Sequence, residues 1–570
     1  MLRKSNLLFS IVIIIIINIL SNYFVFNIDL TEDKRFTLSS QSIKVLNQID
    51  DHLTIKVYLE GDLPAGIELL SSSIEEFLIK CRKINNYINF EFIDPTESNN
   101  EIQRLSIYDQ LEGQGLYPTD LRISETSRKI IYPGAIIRYK DSMKEAVNLL
   151  ENNSSFSSKI NINNSIEKIE FQIISTINKL VTDKKHSIAF LKGNGELRSE
   201  QLLDITESVN EDNNNLKYLY NVENFNIKEF EIDSITNLPN LDLQLQKLRR
   251  FKAIIIAKPT IPFNKIDKLL IDQYIMHGGR LLILLDGVHA NIDSLNNSNG
   301  YFMSSKNNLN IDDQLFRYGV RINSNLIQDL RSTEIPVITG YSNNKPIQEF
   351  YKWPYYPLLS NNTEHPISKN IDQIKCDFVS SIDTLKNNIK KTIILSSSKR
   401  SREIPAPSKI SLSILENPPP IETFKESNIP IGVLLNGKFT SVFKDRIIQK
   451  NNSIEFKNIS DSTKMIIVAD GDIISNPVSN TNISYPLGYD RFINYTYEGN
   501  KKFIMNSIQY LCDENGVINL KSKNIKLRML NNEKIQNHKN LIILTNIILP
   551  IIIFLSFILI INLFYRRKYD

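Results

Sequence analysis

The chain has 570 residues, a formal net charge of +4, 42% hydrophobic residues and three cysteines. That length supplies several cores of ordinary domain size, and so small a charge, with no long basic stripe, argues against nucleic acid as a partner. Cys81, Cys376 and Cys512 are too few and too scattered for a disulfide framework or a CxxC metal site; one Cys376 to Cys512 bridge and three unpaired thiols both fit.

Arg3 and Lys4 precede the apolar run Leu7 to Phe26, and Asp29, Glu32 and Asp33 follow it. The basic end belongs in the cytoplasm. Residues 18–23 offer no small-x-small cleavage site and no cysteine follows for lipid attachment, so the run is expected to be an uncleaved transmembrane helix over 7–26.

A first α/β domain is expected over 29–150. Ile43, Leu46 and Ile49 mark a short helix, and Leu53, Ile55, Val57 and Leu59 alternate with polar residues as a strand with one buried face does. Ile67, Leu70, Ile74, Phe77, Cys81 and Ile84 recur at helical spacing, and Ile88 to Ile93 reads as a second strand closed by Asp94-Pro95. This βαβ unit calls for parallel strands joined by a right-handed crossover. Cys81 then lies on the buried stripe as a small core residue. Ala135 to Lys140 and Met143 to Leu149 read as a closing hairpin. The order of elements fits a thioredoxin-like arrangement without redox cysteines.

Residues 151–185 read as an Asn- and Ser-rich linker up to Asn164, then a helix with Ile166, Ile169, Ile173, Ile177 and Leu180 on one face. A second domain is expected over 186–375. Ser187 to Leu191 is a strand, Ser199 to Val209 a helix, Phe225 to Ile232 a strand, and Ala253 to Ala257 a continuous apolar run suited to a central parallel strand. Pro262 and Asn264 open the next helix, Gly278-Gly279 closes it, and Leu281 to Leu285 is a strand ending at Asp286. Alternation of this kind predicts a doubly wound, flavodoxin- or class I amidotransferase-like sheet.

Two stretches here are candidate ligand or partner contacts. In the turn Gly193-Asn194-Gly195-Glu196, backbone amides between strand and helix can face an anion. It lacks the Lys-Ser or Lys-Thr of a P-loop and the Ser or Cys of a nucleophile elbow, so a tight structural turn is the simpler reading. Trp353, Tyr355 and Tyr356, interleaved with Pro354 and Pro357, make either a platform for sugar or peptide or a packed aromatic corner. His186, His277 and His289 flank strands with no second ligand at metal spacing. No catalytic residue, cofactor or metal site is read.

A C-terminal α/β region is expected over 376–530. Lys399, Arg400 and Arg402 read as a solvated charged loop. Ile431 to Leu435 and Phe439 to Phe443 flank Asn436-Gly437, a strong hairpin signal. Met465 to Ala469 is a buried strand ending in Asp470-Gly471-Asp472, and Phe503, Ile504, Ile508 and Leu511 line a helix. Last, Leu541 to Phe564 holds 24 residues without a charge, reaching about 36 Å as a helix against about 30 Å of bilayer hydrocarbon. Arg566, Arg567 and Lys568 follow and place the C-terminus in the cytoplasm. Two spans, 7–26 and 541–564, then leave Asn27 to Asn540 outside.

Asp29 to Ser40, the Gly193 to Glu196 turn, Tyr274 to Asp286, Asp312 to Ile322, Trp353 to Leu359, Pro430 to Ser441 and Leu487 to Arg491 together resemble the gliding-motility-associated ABC transporter substrate-binding subunits of the GldG family. Members usually carry His in the second place of the glycine turn, where this chain has Asn194. The resemblance implies a non-catalytic auxiliary subunit of the inner membrane, with both termini cytoplasmic and its main body periplasmic. Its implied partners are an ABC ATPase subunit, a multi-span permease subunit, the lipid bilayer and envelope motility proteins. Two other classes compete with it: a scaffold of the motility or secretion apparatus with no ligand, and an envelope hydrolase whose site is assembled from distant residues.

Overall fold

The computed structural model describes residues 37–522 and 538–567, apart from 99, 123–127, 141–142, 152–156, 183–184, 208–214, 233–238, 298–299, 344, 360–362, 445 and 447–453. The expected span over 7–26 lies outside the described residues. The chain divides into two compact units, Leu38–Lys523 and a second made of Met1–Thr37 with Asn524–Asp570.

In the larger unit, α1 (Ser40–Leu46) starts at Ser39, whose side chain accepts from the Ser42 amide. β1 (Leu53–Val57) alternates buried and half-buried positions, and α2 (Ala65–Ile84) buries Ile67, Leu70, Ile74, Phe77, Leu78 and Cys81 along one stripe. β2 (Ile88–Phe92) runs parallel to β1 with Leu53 opposite Ile88, as the periodicity predicts. β3 (Gly134–Tyr139) is antiparallel to β1 and forms a hairpin with β4 (Met143–Asn148), giving the order β2-β1-β3-β4. A helix α3 (Glu101–Glu112) and a small hairpin of Thr119–Arg122 with Arg128–Ile131, neither anticipated, intervene between β2 and β3.

The next helix, α4 (Ser158–Val181), begins within the Asn-rich stretch expected as linker, with Ser157 extended ahead of its first turn. Its contacts with α2 and its buried row from Ser165 to Leu180 offset the modest helix propensity of the asparagines.

A seven-stranded sheet follows, built from β5 (Ser187–Lys192), β6 (Asn221–Asn226), β7 (Ala253–Ala257), β8 (Arg280–Leu284), β11 (Lys390–Ser396), β12 (Pro430–Thr440) and β13 (Ile459–Val468). The intervening β9 (Ser332–Ser342) and β10 (Lys345–Leu359) form a long antiparallel hairpin outside it. The order is β11-β12-β13-β8-β7-β5-β6; β13, β8, β7, β5 and β6 are parallel, and β12 and β11 are antiparallel additions at one edge. The C-terminal region therefore completes the sheet begun at Ser187.

Alternate strand residues serve opposite cores. Ile188, Phe190, Ile255 and Leu282 join the side covered by α8 (Glu498–Cys512), whose Phe503, Ile504, Ile508 and Leu511 are buried there. Ala189, Leu191, Ile254 and Ile283 join the side of α5 (Leu241–Arg249), α6 (Lys265–Met276) and α7 (Asp312–Tyr318). Cover on both faces is why these strands read as unbroken apolar runs. The three cysteines are free thiols, all buried.

Three expectations are corrected. Asn436-Gly437 does not turn: β12 runs straight through it, with Asn436 opposite both Lys390 and Lys464 and Gly437 opposite Thr463. Two ladders, one on each side of β12, outweigh the local turn preference of the dipeptide. The described part of the helix expected over Ser199 to Val209 is reduced to single turns at Ser199–Leu202 and Leu203–Thr206, and 208–209 lie outside the described residues. The strand expected from Phe225 begins earlier, at Asn221, because its ladder to β5 starts there, and it ends at Asn226.

In the smaller unit, α9 (Lys539–Arg567) is a continuous helix through Pro550. Its segment Lys539–Ile561 has a mean hydropathy of 2.8 and no buried share, which makes it long and apolar enough to cross a membrane.

Candidate functional site

Three parallel strands end side by side, since Leu284 of β8 is opposite Ala257 of β7 and Val468 of β13. Just past these ends stand Lys258, Asp286 and the Asp470-Gly471-Asp472 turn. The carboxylate oxygens of Asp286, Asp470 and Asp472 lie within 4.8 Å of one another. Lys258 takes the left-handed backbone at φ +51° and places Nζ 2.5 Å from both oxygens of Asp472 and 3.5 Å from Asp286 Oδ2. A bulky residue in that region is held there by its surroundings. The Gly471 amide donates to Asp286 Oδ1 at 2.6 Å, and a Cβ on Gly471 would meet the Lys258 side chain at 2.6 Å. Glycine is needed here for close approach.

Of this cluster, Lys258 and Asp472 form one wall of a cavity of about 260 Å³. A second wall comes from Lys375, Asp377 and Phe378. Lys375 Nζ is 2.8 Å from Asp377 and 4.7 Å from the centre of the Tyr356 ring, while Phe378 is again left-handed at φ +52°. Asn500 of α8 fixes the backbone at Lys375 by accepting from its amide at 2.9 Å and donating to its carbonyl at 2.8 Å. Asp490 and Arg491 close the rim, with Arg491 bonded to Asp293 at 2.6 Å.

Burial dominates the electrostatics. It pushes Asp286 up to about 6, with Lys258 opposing and Asp472 adding to the shift. It lifts Asp470 well above the carboxylate range, reinforced by Asp472, Asp286 and Asp377, and it raises Asp377 as well. Burial also works against the Lys258 ammonium, but Asp472 and Asp286 outweigh it and hold its pKa above the ordinary lysine value. Among the described residues Asp286, Asp470 and Asp472 are the acidic triplet with metal-ligand spacing, and Lys258 already supplies the positive charge between them.

The raised Asp286 carries a sign. Between the unfolded value near 3.8 and about 6, the folded state binds the extra proton, so this group's contribution to stability falls as pH rises through that window and is flat above it. Asp286→Asn is expected to remove up to about 1.4 kcal/mol per pH unit of that slope, the value for one proton. Chemical denaturation of both proteins across the window measures it; an unchanged slope refutes the assignment.

The predicted contact residues divide. Asn194 is fully buried, and its carbonyl accepts the amides of Thr260 at 2.9 Å and Ile261 at 2.8 Å. Its Nδ2 lies 3.3 Å from Asp267, and Glu196 accepts the Asn194 amide at 2.8 Å. Gly195 has φ +72°, and a Cβ there would meet Thr260 Oγ1 at 2.2 Å. Gly193 to Glu196 thus clamp the end of β5 to the segment after β7 and are not in the cavity's lining. Trp353, Tyr355 and Tyr356 are buried at 0%, 3% and 3% exposure in a satellite core with Phe378. Of the three, Tyr356 also lines the cavity. Lys258, Lys375, Asp377 and Arg491 were not singled out from the sequence, although a charged residue just beyond a continuous apolar strand was a readable signal at Lys258, as at Asp286. The basic loop is only partly solvated: Arg402 donates to Gln328 at 2.7 Å and lies over Phe424.

Comparison with known proteins places the cavity within a recognised segment. The family described as "ABC-type uncharacterized transport system" matches residues 185–507, more than half of the chain. A "Domain of unknown function (DUF7088)" matches residues 32–138. An "Uncharacterized protein" of Borreliella burgdorferi is 24% identical over 572 residues, covering 96% of this chain and 95% of the relative. The solved "mmIFT52 N-terminal domain" aligns over 57% of this chain and 96% of its own at 16% identity, and its TM-score of 0.29 carries no argument about the fold.

Proposed function

Because this chain belongs to the family of ABC-type uncharacterized transport systems, we propose that it is a non-catalytic, membrane-anchored auxiliary subunit that binds substrate in the cavity between Lys258, Lys375 and Arg491. The observation that carries this is the position of the cavity at the carboxyl ends of parallel strands, where open α/β sheets receive their ligands. Numbered by appearance, β6-β5-β7-β8-β13 reads 2-1-3-4-5, which supports a flavodoxin-like second domain. The β2-β1-β3-β4 sheet with α2 supports a thioredoxin-like first domain over 29–150. We place the body in the periplasm, with anchors at 7–26 and 541–564 and both termini cytoplasmic. An ATPase subunit and a multi-span permease supply the energy and the pore, as the likeness to gliding-motility auxiliary subunits implies.

Purification of the full chain from native membranes in mild detergent tests the assembly. Mass spectrometry is expected to find an ABC ATPase and a permease in stoichiometric amounts. Recovery without them overturns the subunit reading.

One observation favours a second reading, an envelope scaffold without ligand. The β9-β10 hairpin exposes Ile338, Tyr341 and Phe350 at 51%, 72% and 51%, a surface suited to protein contact. Copurifying envelope proteins in place of transporter subunits would select it.

A further inference from the structure

We infer that the cavity takes a small zwitterion, a molecule of up to dipeptide size that carries one ammonium and one acidic group. The inference rests on the cavity being the ligand site, as proposed above, and goes on to name the ligand's chemistry.

The cavity's cations are paired on its own walls: Lys258 with Asp472 at 2.5 Å, Lys375 with Asp377 at 2.8 Å, and Arg491 with Asp293 at 2.6 Å. A simple anion that entered would draw a lysine from its carboxylate and leave that carboxylate without a counter-charge. A simple cation would do the same to a lysine at each pair. Asp490, which accepts from the Thr333 hydroxyl and the Phe492 amide, is the one carboxylate of the described lining it could meet otherwise, so the cationic comparator, alanyl-alanine amide, is decisive. A ligand with both signs exchanges partners with a wall pair and leaves no charge unpaired, so the arrangement rejects each single sign more strongly than the combination.

Two further features agree. At about 260 Å³ the space falls below the roughly 300–1,000 Å³ usual for drug-sized ligands, which limits the guest to a small polar molecule. Lys258 and Phe378, both in the lining, hold the left-handed backbone that bulky residues avoid. Such positions persist where the fold over-determines them, and they cluster at ligand clamps.

Zwitterions of this size come from two sources, peptides with free termini and ethanolamine phosphate headgroups. The test is isothermal titration of the full chain in detergent with alanyl-alanine and with glycerophosphoethanolamine, each beside its N-acetyl form. Alanyl-alanine amide supplies the form without the acidic group. Binding of either parent, weakened at least about tenfold by capping, is expected, and the parent that binds identifies the source. A capped form that binds as well as its parent overturns the inference, and so does binding of neither parent. The unaltered protein decides these outcomes, so no folding defect can imitate them. Arg491→Gln at the exposed rim is expected to weaken the parent's binding while the unfolding temperature holds; unchanged affinity there argues against this cavity. If the ATPase and permease copurify but no zwitterion binds, the subunit reading survives and the ligand class fails. If a zwitterion binds but the transporter subunits do not copurify, the reverse holds.

Discussion

Replacing Asp272 with Ala is expected to destabilise the larger unit by about 3–5 kcal/mol, the range for a buried charged centre most of whose partners are left unmet. Asp272 is fully buried on α6. Its carboxylate accepts from Ser441 Oγ at 2.7 Å, the Val442 amide at 3.0 Å, Tyr318 OH at 2.9 Å and Gln273 Nε2 at 2.9 Å. These donors tie α6 to α7 and to the chain leaving β12. Burial raises the carboxyl's pKa, while the four hydrogen bonds pull it down. Ala orphans the Ser441 hydroxyl, the Val442 amide and the Tyr318 hydroxyl, leaves Gln273 Nε2 with the Lys457 carbonyl alone, and opens a void. Asn keeps one acceptor oxygen, and the Ser441 hydroxyl can turn to accept from the new amide, so Asn should cost less than Ala. Denaturant unfolding gives both values. An Ala variant within about 1 kcal/mol of the parent would fall inside the range of an ordinary surface change and would remove Asp272 from this role.

Lys258→Met is expected to cost about 2–4 kcal/mol at neutral pH. The lower end reflects side chains that keep 25% exposure at Lys258 and 31% at Asp472, against about 3–5 kcal/mol for breaking a fully buried pair. Without the ammonium, Asp286 and Asp470, already raised by burial, lose a favourable neighbour and are driven further towards their protonated forms. Their folded pKa values then lie further above the unfolded ones, so the added cost is present at high pH and shrinks as pH falls through those raised values. Asp472→Asn in the same chain should recover part of the loss, since it removes one of the uncompensated charges. A double-mutant cycle at neutral pH measures the coupling. Strict additivity of the two changes would show that Lys258 and Asp472 act independently and would dissolve the ion-paired wall.

Much of the fold was legible because its signals are local. Leu53, Ile55 and Val57 alternate, Ile67 to Cys81 recur at helical spacing, and Ala253 to Ala257 and Leu281 to Leu285 run unbroken through strands covered on both faces. Asn436-Gly437 misled because a dipeptide's preference for turning is weak beside ladders on both edges of β12. Trp353 and its neighbours offered rigid aromatics at prolines, but nothing nearby in the chain says whether such rings face solvent or Phe378. The candidate site was legible only in fragments: Asp286 and Asp470-Gly471-Asp472 stood out as strand ends, and Tyr356 as one of the aromatics.

By itself the sequence determined the α/β alternation, the parallel βαβ opening and an apolar run long enough to cross a membrane, because periodicity and run length are properties of neighbouring residues. The tertiary structure alone decided that β13 lies against β8, that β11 and β12 close the same sheet, and that Lys258, Lys375, Asp472 and Arg491 face one cavity. Those choices rest on ladders and packing between segments far apart in the chain, where the free energy depends on which strands meet.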